Sequence, residues 1–359
     1  MKRLNVAVLF GGRSGEHEVS LESTTSIIKN LDKEKYNLSL IGITREGHWR
    51  YYDGPVEGIK TGEWEANSKA LIFPADPSFK GFFLVDDPGD IIGIDVIFPV
   101  LHGPYGEDGT LQGLFELADI PYVGCDIPAS SIGMDKLIAK SIFSFNNLPQ
   151  GEYLGVHRHV FKKDPNMTID RIEDSFSYPV FVKPANMGSS VGISKAKDRK
   201  TLLEALDLAA KYDERIIVEE YIDGREIECA VLGNFHPKAS VTGEILPSNE
   251  FYDYYAKYKD GGMSKLLIPA PISEAKSLEI RELALKAYEA IGCSGLSRVD
   301  FFLEKETERV YLNEINTMPG FTQISMYPRL WEATGISYPN LLDRLIELAL
   351  ERFNIRHGI

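Results

Sequence analysis

The sequence has little of what disulfide-stabilised, membrane-spanning or nucleic-acid-binding proteins require. Three cysteines occur in 359 residues, and Cys125, Cys229 and Cys293 lie too far apart for a zinc-finger spacing or a disulfide framework, so we interpret them as core thiols. No run approaches the roughly 18 apolar residues of a membrane span. Lys and Arg number 39 against 53 Asp and Glu, a formal charge of −14, which argues against nucleic acid as the main partner.

The composition is otherwise globular, with 43% hydrophobic and 26% charged residues, and the chain is long enough for two or three domains. Its start, "MKRLNVAVLF", places two cations before an apolar run. That run is too short for a signal peptide and lacks a small-residue cleavage site. We therefore expect a soluble cytoplasmic protein that does not associate with membranes.

Buried strands alternate with helices and glycine-rich turns in the first third of the chain. The runs "LNVAVLF", "GGRSGEHEVS" and "LESTTSIIKNL" predict a strand, a turn and a helix, and "LSLIGIT" and "DVIFPVLHG" predict further strands. The first domain should therefore be α/β and end near residue 124, with irregular hairpins inserted over 45–90. Smaller helix and strand units follow over 125–222. Residues 223–359 add strands, a long aromatic segment and a final amphipathic helix.

Near the C-terminal end, the run "YLNEINTMPG" places Glu314 and Asn316 on one face of a strand. It follows "GLSRVDFFLEKETERV", which predicts a hairpin with its turn centred on Thr307. The predicted opposite pairs are Asp300 with Glu314, Arg298 with Asn316, and Phe302 with Leu312.

Two carboxylates placed opposite each other in this way need compensation. At about 5 Å and an effective dielectric constant near 20 they repel by roughly 3 kcal/mol. Arg298 offers part of the compensation and a divalent cation the rest, and oxygen ligands suit Mg²⁺ or Mn²⁺ better than Zn²⁺. The alternative is a solvated sheet face, which Phe302 and Leu312 on the same face disfavour.

A second chemical signal is the run "YPVFVKPANMGSSVG", in which Lys183 ends an apolar strand and a Gly/Ser loop containing Gly188 and Ser189 follows. Backbone N–H groups and hydroxyls of such a loop suit phosphate oxygens, with the lysine as a point charge. The spacing is not that of a P-loop. The alternative is an ordinary turn.

Residues 246–270 contain five aromatic residues, three lysines and a Gly-Gly pair. The segment is longer than a loop that merely connects two elements usually is. We expect a lid that closes over a reaction and excludes water, with Lys257 and Tyr258 facing inward. The alternative is an irregular hairpin packed by its own tyrosines.

Two residues of the first domain remain ambiguous on the sequence alone. Glu16, in "LFGGRSGEHEVS", could simply favour the positive end of a helix. The neighbouring "HE" is not HExxH, so a zinc protease is not supported. His102, in "LHGPYGEDG", follows a strand, where a lone histidine is more often structural than catalytic.

Taken in order, these pieces resemble the D-alanine–D-alanine ligases of the ATP-grasp superfamily. The motifs that carry the resemblance are "AVLFGGRSGEHEVSL", "HGPYGEDGTLQG", "GMDK", "VKPANMGSSVG", "VEEYIDGREIE", "EFYDYYAKY", "SRVDFFL" and "NEINTMPGFTQISMYP". They span nearly the whole chain except 45–90. The resemblance implies a Rossmann-like (preATP-grasp) α/β domain over 1–124, followed by a two-subdomain ATP-grasp fold, an α+β architecture, over 125–222 and 223–359.

The resemblance also implies ATP as co-substrate, two Mg²⁺ or Mn²⁺ ions, and a set of binding residues. The implied ATP-site residues are Lys136 and Lys183 on the phosphates, Ser189 in the loop that closes over them, Lys257 in the lid, the hinge Glu219, Glu220, Tyr221 and Ile222 at the adenine, Glu226 on the ribose, and Phe302 in the base pocket. The implied metal ligands are Asp300, Glu314 and Asn316.

In the family's reaction the carboxylate of a first D-alanine attacks the γ-phosphoryl group, and the amine of a second D-alanine attacks the resulting acyl phosphate. The dipeptide serves peptidoglycan precursor synthesis, and family members are usually homodimers. The implied roles are Glu16 on the first ammonium group, Glu16, Ser189 and Tyr258 as a hydrogen-bonded link, Arg298 and the N–H of Gly320 as the oxyanion site, Ser325 with Arg298 on the second carboxylate, and His102 and Met326 among the substrate-binding residues.

Two positions depart from the family pattern. Tyr255 stands where a glutamate is more common in the lid, and Ile324 stands where a histidine often precedes Ser325. Both neighbour the second-substrate pocket. A D-alanine–D-lactate or D-alanine–D-serine ligase of the same fold is therefore an alternative, although Tyr258 argues against D-lactate. A further alternative is an ATP-binding regulatory protein without turnover.

Overall fold

The computed structural model describes residues 3–188, 191–246 and 265–358, and three β-sheets lie within these ranges. The strands of the first sheet are β1 (Leu4–Gly11), β2 (Tyr36–Ile43), β3 (Trp49–Tyr52), β4 (Lys69–Ile72), β5 (Gly81–Leu84), β6 (Asp87–Gly93) and β7 (Val96–Pro99). Their spatial order is β6-β5-β4-β3-β2-β1-β7. The helices of this part are α1 (His17–Asn30), α2 (Glu57–Thr61), α3 (Glu63–Ala66) and α4 (Thr110–Leu117).

The first sheet confirms the predicted strand, glycine turn and helix. Residues 6–10 of β1 are fully buried, and β1 pairs in parallel with β2 and β7, as expected of an apolar run covered on both faces. Gly11 has a φ of 86°, and a Cβ atom there would lie 2.3 Å from the carbonyl oxygen of Ile43, so the turn requires glycine. Residues 45–90 form the predicted hairpins, which extend the sheet through β3–β6, and also the unpredicted helices α2 and α3.

Two antiparallel sheets follow. The second sheet, in the order β10-β9-β11-β8, contains β8 (Tyr153–His157), β9 (Val180–Pro184), β10 (Ser194–Ala196) and β11 (Arg215–Glu220). The helices in this part of the chain are α5 (Ile127–Met134), α6 (Lys136–Phe145), α7 (Arg158–Lys163), α8 (Pro165–Ser175) and α9 (Arg199–Tyr212). The third sheet, in the order β14-β13-β12-β15-β16, contains β12 (Gly224–Leu232), β13 (Lys238–Leu246), β14 (Lys265–Leu267), β15 (Leu296–Glu304) and β16 (Val310–Asn316). Its helices are α10 (Glu274–Ala290), α11 (Met326–Ala333) and α12 (Tyr338–His357).

This arrangement is the predicted one, an α/β domain followed by the two α+β units of an ATP-grasp fold. β14 occupies 265–267, so the end of the predicted lid segment is a strand. Two of the buried cores contain residues from more than one unit. Cys125 and Phe143, at α5 and α6, pack with the third sheet rather than the second. Phe321 and Trp331 join α11 and α12 to the core under the first sheet. All three cysteines are buried and free, as predicted.

The hairpin of β15 and β16 keeps the predicted register only where the charged residues lie. Asp300 is opposite Glu314, and Arg298 is opposite Asn316. A bulge follows Asp300, so Phe302 lies opposite Tyr311, and its predicted pairing with Leu312 is wrong. The bulge adds one residue to β16 on the turn side of Glu314, and the carboxylate pair is therefore unaffected.

Within the three described ranges, none of the helices has both the length and the hydropathy that a membrane crossing requires.

Candidate active site

A cavity of about 330 Å³ lies between the second and third sheets, where the connection from β11 to β12 crosses from one to the other. Residues from both sheets line it. The predicted site residues among them are Lys183, Glu219, Glu220, Tyr221, Ile222, Glu226, Arg298, Asp300, Phe302 and Glu314. Residues predicted from separate motifs, up to 131 positions apart in the sequence, thus meet in one place.

A buried carboxylate between two lysines forms one wall of the cavity. Lys183 Nζ lies 2.6 Å from Glu219 Oε2, and Lys140 Nζ lies 2.9 Å from Glu219 Oε1. Burial would raise the pKa of Glu219, but the two ammonium groups lower it to about 2. Burial would likewise lower the pKa of Lys183, but the carboxylates of Glu219 and Glu314 outweigh it and raise that pKa. The cavity therefore holds a lysine that stays cationic.

Lys140 was not identified from the sequence, although a signal existed. It lies four residues after Lys136 on α6, so both point to the same side of that helix. Asp135 caps α6 by accepting hydrogen bonds from two backbone N–H groups. Lys136 Nζ donates to the carbonyl oxygen of Met187 at 2.8 Å and lies 3.8 Å from Glu314 Oε2. Helix α6 thus directs two ammonium groups toward the cavity and the loop after β9.

The opposite wall carries the carboxylate pair of β15 and β16. Arg298 donates two hydrogen bonds of 2.7 Å to the carboxylate of Asp300, and Asn316 Nδ2 donates a third of 2.9 Å. With Lys136 beside Glu314, the repulsion between the two carboxylates is offset by protein cations. The amide oxygen of Asn316 is left for another partner.

The residue types on this wall fit a divalent cation such as Mg²⁺ or Mn²⁺. Among the described residues no three His, Cys, Asp or Glu side chains come together as a metal site. A cation here would therefore take its protein oxygens from Asp300, Glu314 and the amide of Asn316, a donor set of hard oxygen ligands.

Arg298 is a half-buried cation held by a second carboxylate that the sequence analysis did not identify. Its Nε lies 3.0 Å from Glu228 Oε2, and Glu228 faces Asp300 across β12 and β15. Burial would lower the pKa of Arg298, but Asp300 and Glu228 raise it well above its ordinary value. The alternation of Glu226 and Glu228 along β12 was the available signal, since alternate strand residues share a face.

Glu16 occupies a narrow slot between two loops. A Cβ atom at Gly103 would lie 2.5 Å from Glu16 Oε2, and one at Gly188 would lie 2.6 Å from the same oxygen. Both positions therefore need glycine because of space, and the Glu16 carboxylate touches the loop that follows β9. Ser14 supports the turn, since its Oγ donates to the carbonyl oxygen of His102 at 2.7 Å and accepts from the N–H of Glu16 at 2.9 Å.

His102 is held by the backbone of Met318 and the side chain of Ser23, and it is not among the described residues that line the cavity. Its Nδ1 lies 3.0 Å from the carbonyl oxygen of Met318, so Nδ1 carries the proton, and Nε2 lies 3.4 Å from Ser23 Oγ. Burial lowers the pKa of His102, which keeps the imidazole neutral.

The turn after β16 brings Gly320 and Ser325 together. A Cβ atom at Gly320 would lie 3.3 Å from Ser325 Oγ, and that hydroxyl accepts from the N–H of Thr322 at 3.1 Å. The side chain of Met326 is buried in the core and is not among the cavity-lining groups; a Cβ atom at Gly243 would lie 2.7 Å from its sulfur. Ile324 is 78% exposed.

Four residues discussed above lie outside the described ranges. They are Ser189, Tyr255, Lys257 and Tyr258.

Comparison with known proteins gives full-length matches. Residues 5–125 match the family described as D-ala D-ala ligase N-terminus, and residues 142–347 match the family described as D-ala D-ala ligase C-terminus. A D-alanine–D-alanine ligase from Acetivibrio thermocellus is 54% identical over 363 residues, which cover 97% of this chain and 96% of that protein.

Solved structures agree in fold over the same extent. A D-Ala:D-Ser ligase from Enterococcus faecalis superposes with a TM-score of 0.87 at 39% identity, covering 97% of this chain and 100% of the other. A D-alanine–D-alanine ligase from Coxiella burnetii gives a TM-score of 0.85 at 36% identity, covering 99% and 98%. The likeness thus includes all three sheets, among them the two that border the cavity.

Proposed function

This chain belongs to the D-alanine–D-alanine ligase family, and from this premise we propose how its residues perform the reaction. It is an ATP-dependent ligase that joins two D-alanine molecules into D-alanyl-D-alanine for peptidoglycan synthesis, with release of ADP and phosphate. The high identity to D-alanine–D-alanine ligases does not favour a D-lactate or D-serine acceptor or a protein without turnover. The observation that carries the assignment of the site is that the predicted hinge, lysine and carboxylate residues line one cavity.

In this proposal ATP lies between the second and third sheets. Lys183 and Lys136 meet its phosphates, and Glu219 holds Lys183 in place. The aromatic side chain of Phe302 and the hinge residues at 219–222 bound the adenine, and Glu226 accepts from the ribose hydroxyls. Ser189 and Lys257 are assigned to the phosphates on the resemblance alone.

Two Mg²⁺ or Mn²⁺ ions would be held by Asp300, Glu314 and Asn316, and would supply charge neutralisation at the phosphoryl groups. Arg298 orients the carboxylate of Asp300 through two hydrogen bonds, and Lys136 lies beside the carboxylate of Glu314. These contacts hold the two carboxylates in place for a cation.

For the first step we assign Glu16 to the ammonium group of the first D-alanine. Its slot between Gly103 and Gly188 brings that substrate next to the loop after β9, so that the substrate carboxylate faces the γ-phosphoryl group. Ser189 and Tyr258 complete the link between Glu16 and the lid in this proposal.

For the second step the amine of the second D-alanine attacks the acyl phosphate. We assign Arg298 and the backbone N–H of Gly320 to the oxyanion that develops, because a cation held by two carboxylates and an oriented donor stabilise it without reorganisation. Ser325, which adjoins Gly320, receives the carboxylate of the second D-alanine together with Arg298. His102 and Met326 are assigned to the substrate pocket on the resemblance, and His102 also holds the carbonyl oxygen of Met318.

Assembly, location and domain limits complete the proposal. We propose a cytoplasmic homodimer, on the resemblance to the family. We also propose that the units divide at residues 124 and 222, so that the catalytic cavity lies at the boundary between the second and third units.

The test is phosphate release from Mg-ATP with no amino acid, with D-alanine, with L-alanine, and with D-alanine plus an excess of D-lactate or D-serine. We expect release that depends on D-alanine, with D-alanyl-D-alanine as the product identified by mass. A mixed product with D-serine or D-lactate as the main species would reassign the acceptor. No D-alanine-dependent release from folded protein that binds ATP would refute the ligase assignment.

A further inference from the structure

The backbone N–H and carbonyl groups of Met318, two residues before Gly320, are each held by a side chain of the first domain. The N–H of Met318 donates to Glu107 Oε2 at 3.2 Å, and its carbonyl oxygen accepts from His102 Nδ1 at 3.0 Å. The other carboxylate oxygen of Glu107 accepts from the N–H of Gly103 at 2.7 Å. One carboxylate therefore joins the loop after β7 to the turn after β16.

The residue after Gly320 is anchored as well. The N–H of Phe321 donates to Ser23 Oγ at 3.4 Å, and the hydroxyl of Tyr338 donates to the carbonyl oxygen of Phe321 at 2.5 Å. Pro319 and Gly320 thus span two fixed points. Because the proline ring locks φ of residue 319, the anchored carbonyl group of Met318 restricts the orientations that the N–H of Gly320 can take.

Glu107 is an unfavourable residue for stability in this place. It is half-buried, and among the described residues its hydrogen-bonding partners are two backbone N–H groups rather than a cation. Partial burial, reinforced by the nearby charge of Glu16, raises the pKa of Glu107 to about 8, although the two N–H groups and the charge of Arg298 oppose this. A carboxylate that is partly removed from water without a direct cation costs stability, which is a reason to look for a function.

We propose that Glu107 is a positioning residue for the oxyanion-stabilising N–H of Gly320 and acts through the backbone of Met318. This inference rests on the ligase function proposed above. Glu107 does not touch the substrates. Because it also holds Gly103, which borders the Glu16 slot, the same carboxylate fixes the first-substrate site and the oxyanion site relative to each other.

The experiment compares Glu107→Gln with the matched control Asp108→Asn. A glutamine keeps the shape of Glu107 but presents an NH₂ group to one of the two N–H donors. Asp108 also accepts two backbone hydrogen bonds, from Tyr105 and Thr110, but both lie within its own loop. Steady-state rates, the KM for ATP and the ratio of dipeptide formed to ATP hydrolysed are measured for wild type and both variants.

We expect Glu107→Gln to lower the kcat for dipeptide formation about 10- to 100-fold, as expected of a displaced transition-state donor. The KM for ATP should stay unchanged, and the ratio of dipeptide to ATP hydrolysed should fall because the acyl phosphate still forms but is lost to water. Asp108→Asn should behave as wild type. Wild-type kcat and coupling in folded Glu107→Gln would overturn the proposal.

Amide hydrogen exchange provides a readout that does not depend on catalysis. Peptides covering 317–321 should exchange faster in Glu107→Gln than in wild type or Asp108→Asn, while peptides from β15 stay unchanged. If Glu107→Gln does not fold, Glu107→Asp, which is one methylene shorter, replaces it with the same expectations. Unchanged exchange over 317–321 would overturn the positioning role. A wild-type protein that makes no dipeptide would refute the ligase function, and the exchange result would then still show whether Glu107 holds the backbone of Met318.

Discussion

At the scale of single residues, the surroundings of each carboxylate decide its pKa. Glu219 lies between two lysines and has its pKa lowered to about 2, whereas Glu107, whose hydrogen-bond partners among the described residues are backbone N–H groups, has its pKa raised to about 8. Glu219 is the more deeply buried of the two, and burial raises the pKa of both, so burial does not explain the difference. The neighbouring cations do, and the ionised Glu219 can therefore hold Lys183 at any pH at which the enzyme works.

The lowered pKa of Glu219 predicts a specific dependence of stability on pH. Its folded-state pKa is depressed from 4.5, so its contribution to stability is present above pH 4.5 and is lost as the pH falls toward 2. Glu219→Gln should lower the free energy of unfolding near pH 7 by roughly 3 kcal/mol, because two buried ammonium groups lose their carboxylate. It should also flatten the acid limb between these pH values.

Urea unfolding between pH 2 and pH 7 measures this effect, with Glu204→Gln on the exposed face of α9 as control. An acid limb in Glu219→Gln as steep as that of wild type would show that Glu219 is not held ionised in the folded protein.

Gly188 gives a steric prediction. A Cβ atom there would lie 2.6 Å from Glu16 Oε2, so Gly188→Ala should displace either the carboxylate or the loop. We expect kcat/KM for D-alanine to fall about 10- to 100-fold while binding of ATP alone is retained.

The control is Gly93→Ala, at the end of β6, where an added Cβ atom would meet no atom of the described residues within 4 Å. Initial rates over a range of D-alanine concentrations, together with ATP binding by calorimetry, make the comparison. Equal kcat/KM for the two alanine variants would contradict the slot as the first-substrate site.

At the scale of elements, the sequence predicted those strands and helices whose hydrophobic pattern could be identified within a single segment. The strand, turn and helix around Gly11 and the opposition of Asp300 to Glu314 are examples, and both are confirmed. The bulge that shifts Phe302 was not predictable, because no glycine or proline marks it. Helices α7 and α8 were also missed, since they are short and their apolar faces are narrow.

The β15–β16 hairpin yields a prediction about metal dependence. Asn316→Ala removes one of the three proposed protein oxygens and also a hydrogen bond to Asp300. The Mg²⁺ concentration for half-maximal activity at saturating ATP should rise about 10-fold or more.

Glu306→Ala, in the exposed turn of the same hairpin, serves as control for that Mg²⁺ titration. Mn²⁺ should restore part of the activity of Asn316→Ala, because the remaining carboxylates suit it equally well. An unchanged Mg²⁺ requirement would remove Asn316 from the proposed ligands.

At the scale of the whole molecule, the site depends on contacts between units that no local pattern reveals. The apolar face of α6 could be identified from the sequence, but not that this helix packs, together with α5, on the third sheet. Likewise, α12 is amphipathic in the sequence, but its place beside Phe10 and Phe98 in the first core follows only from the fold. Lys140, Glu228 and Glu107 were missed as well. Spacing alone marked Lys140 and Glu228, but their partners Glu219 and Arg298, like the partner Met318 of Glu107, come from distant segments.

The most direct measurement is a crystal structure of the protein with a non-hydrolysable ATP analogue and Mg²⁺. We predict the nucleotide between the second and third sheets, with its phosphates at Lys183 and Lys136, and Mg²⁺ bound through oxygens of Asp300, Glu314 and Asn316 at about 2.0–2.1 Å. A nucleotide bound elsewhere, or a metal ion that none of these three side chains contacts, would contradict the account.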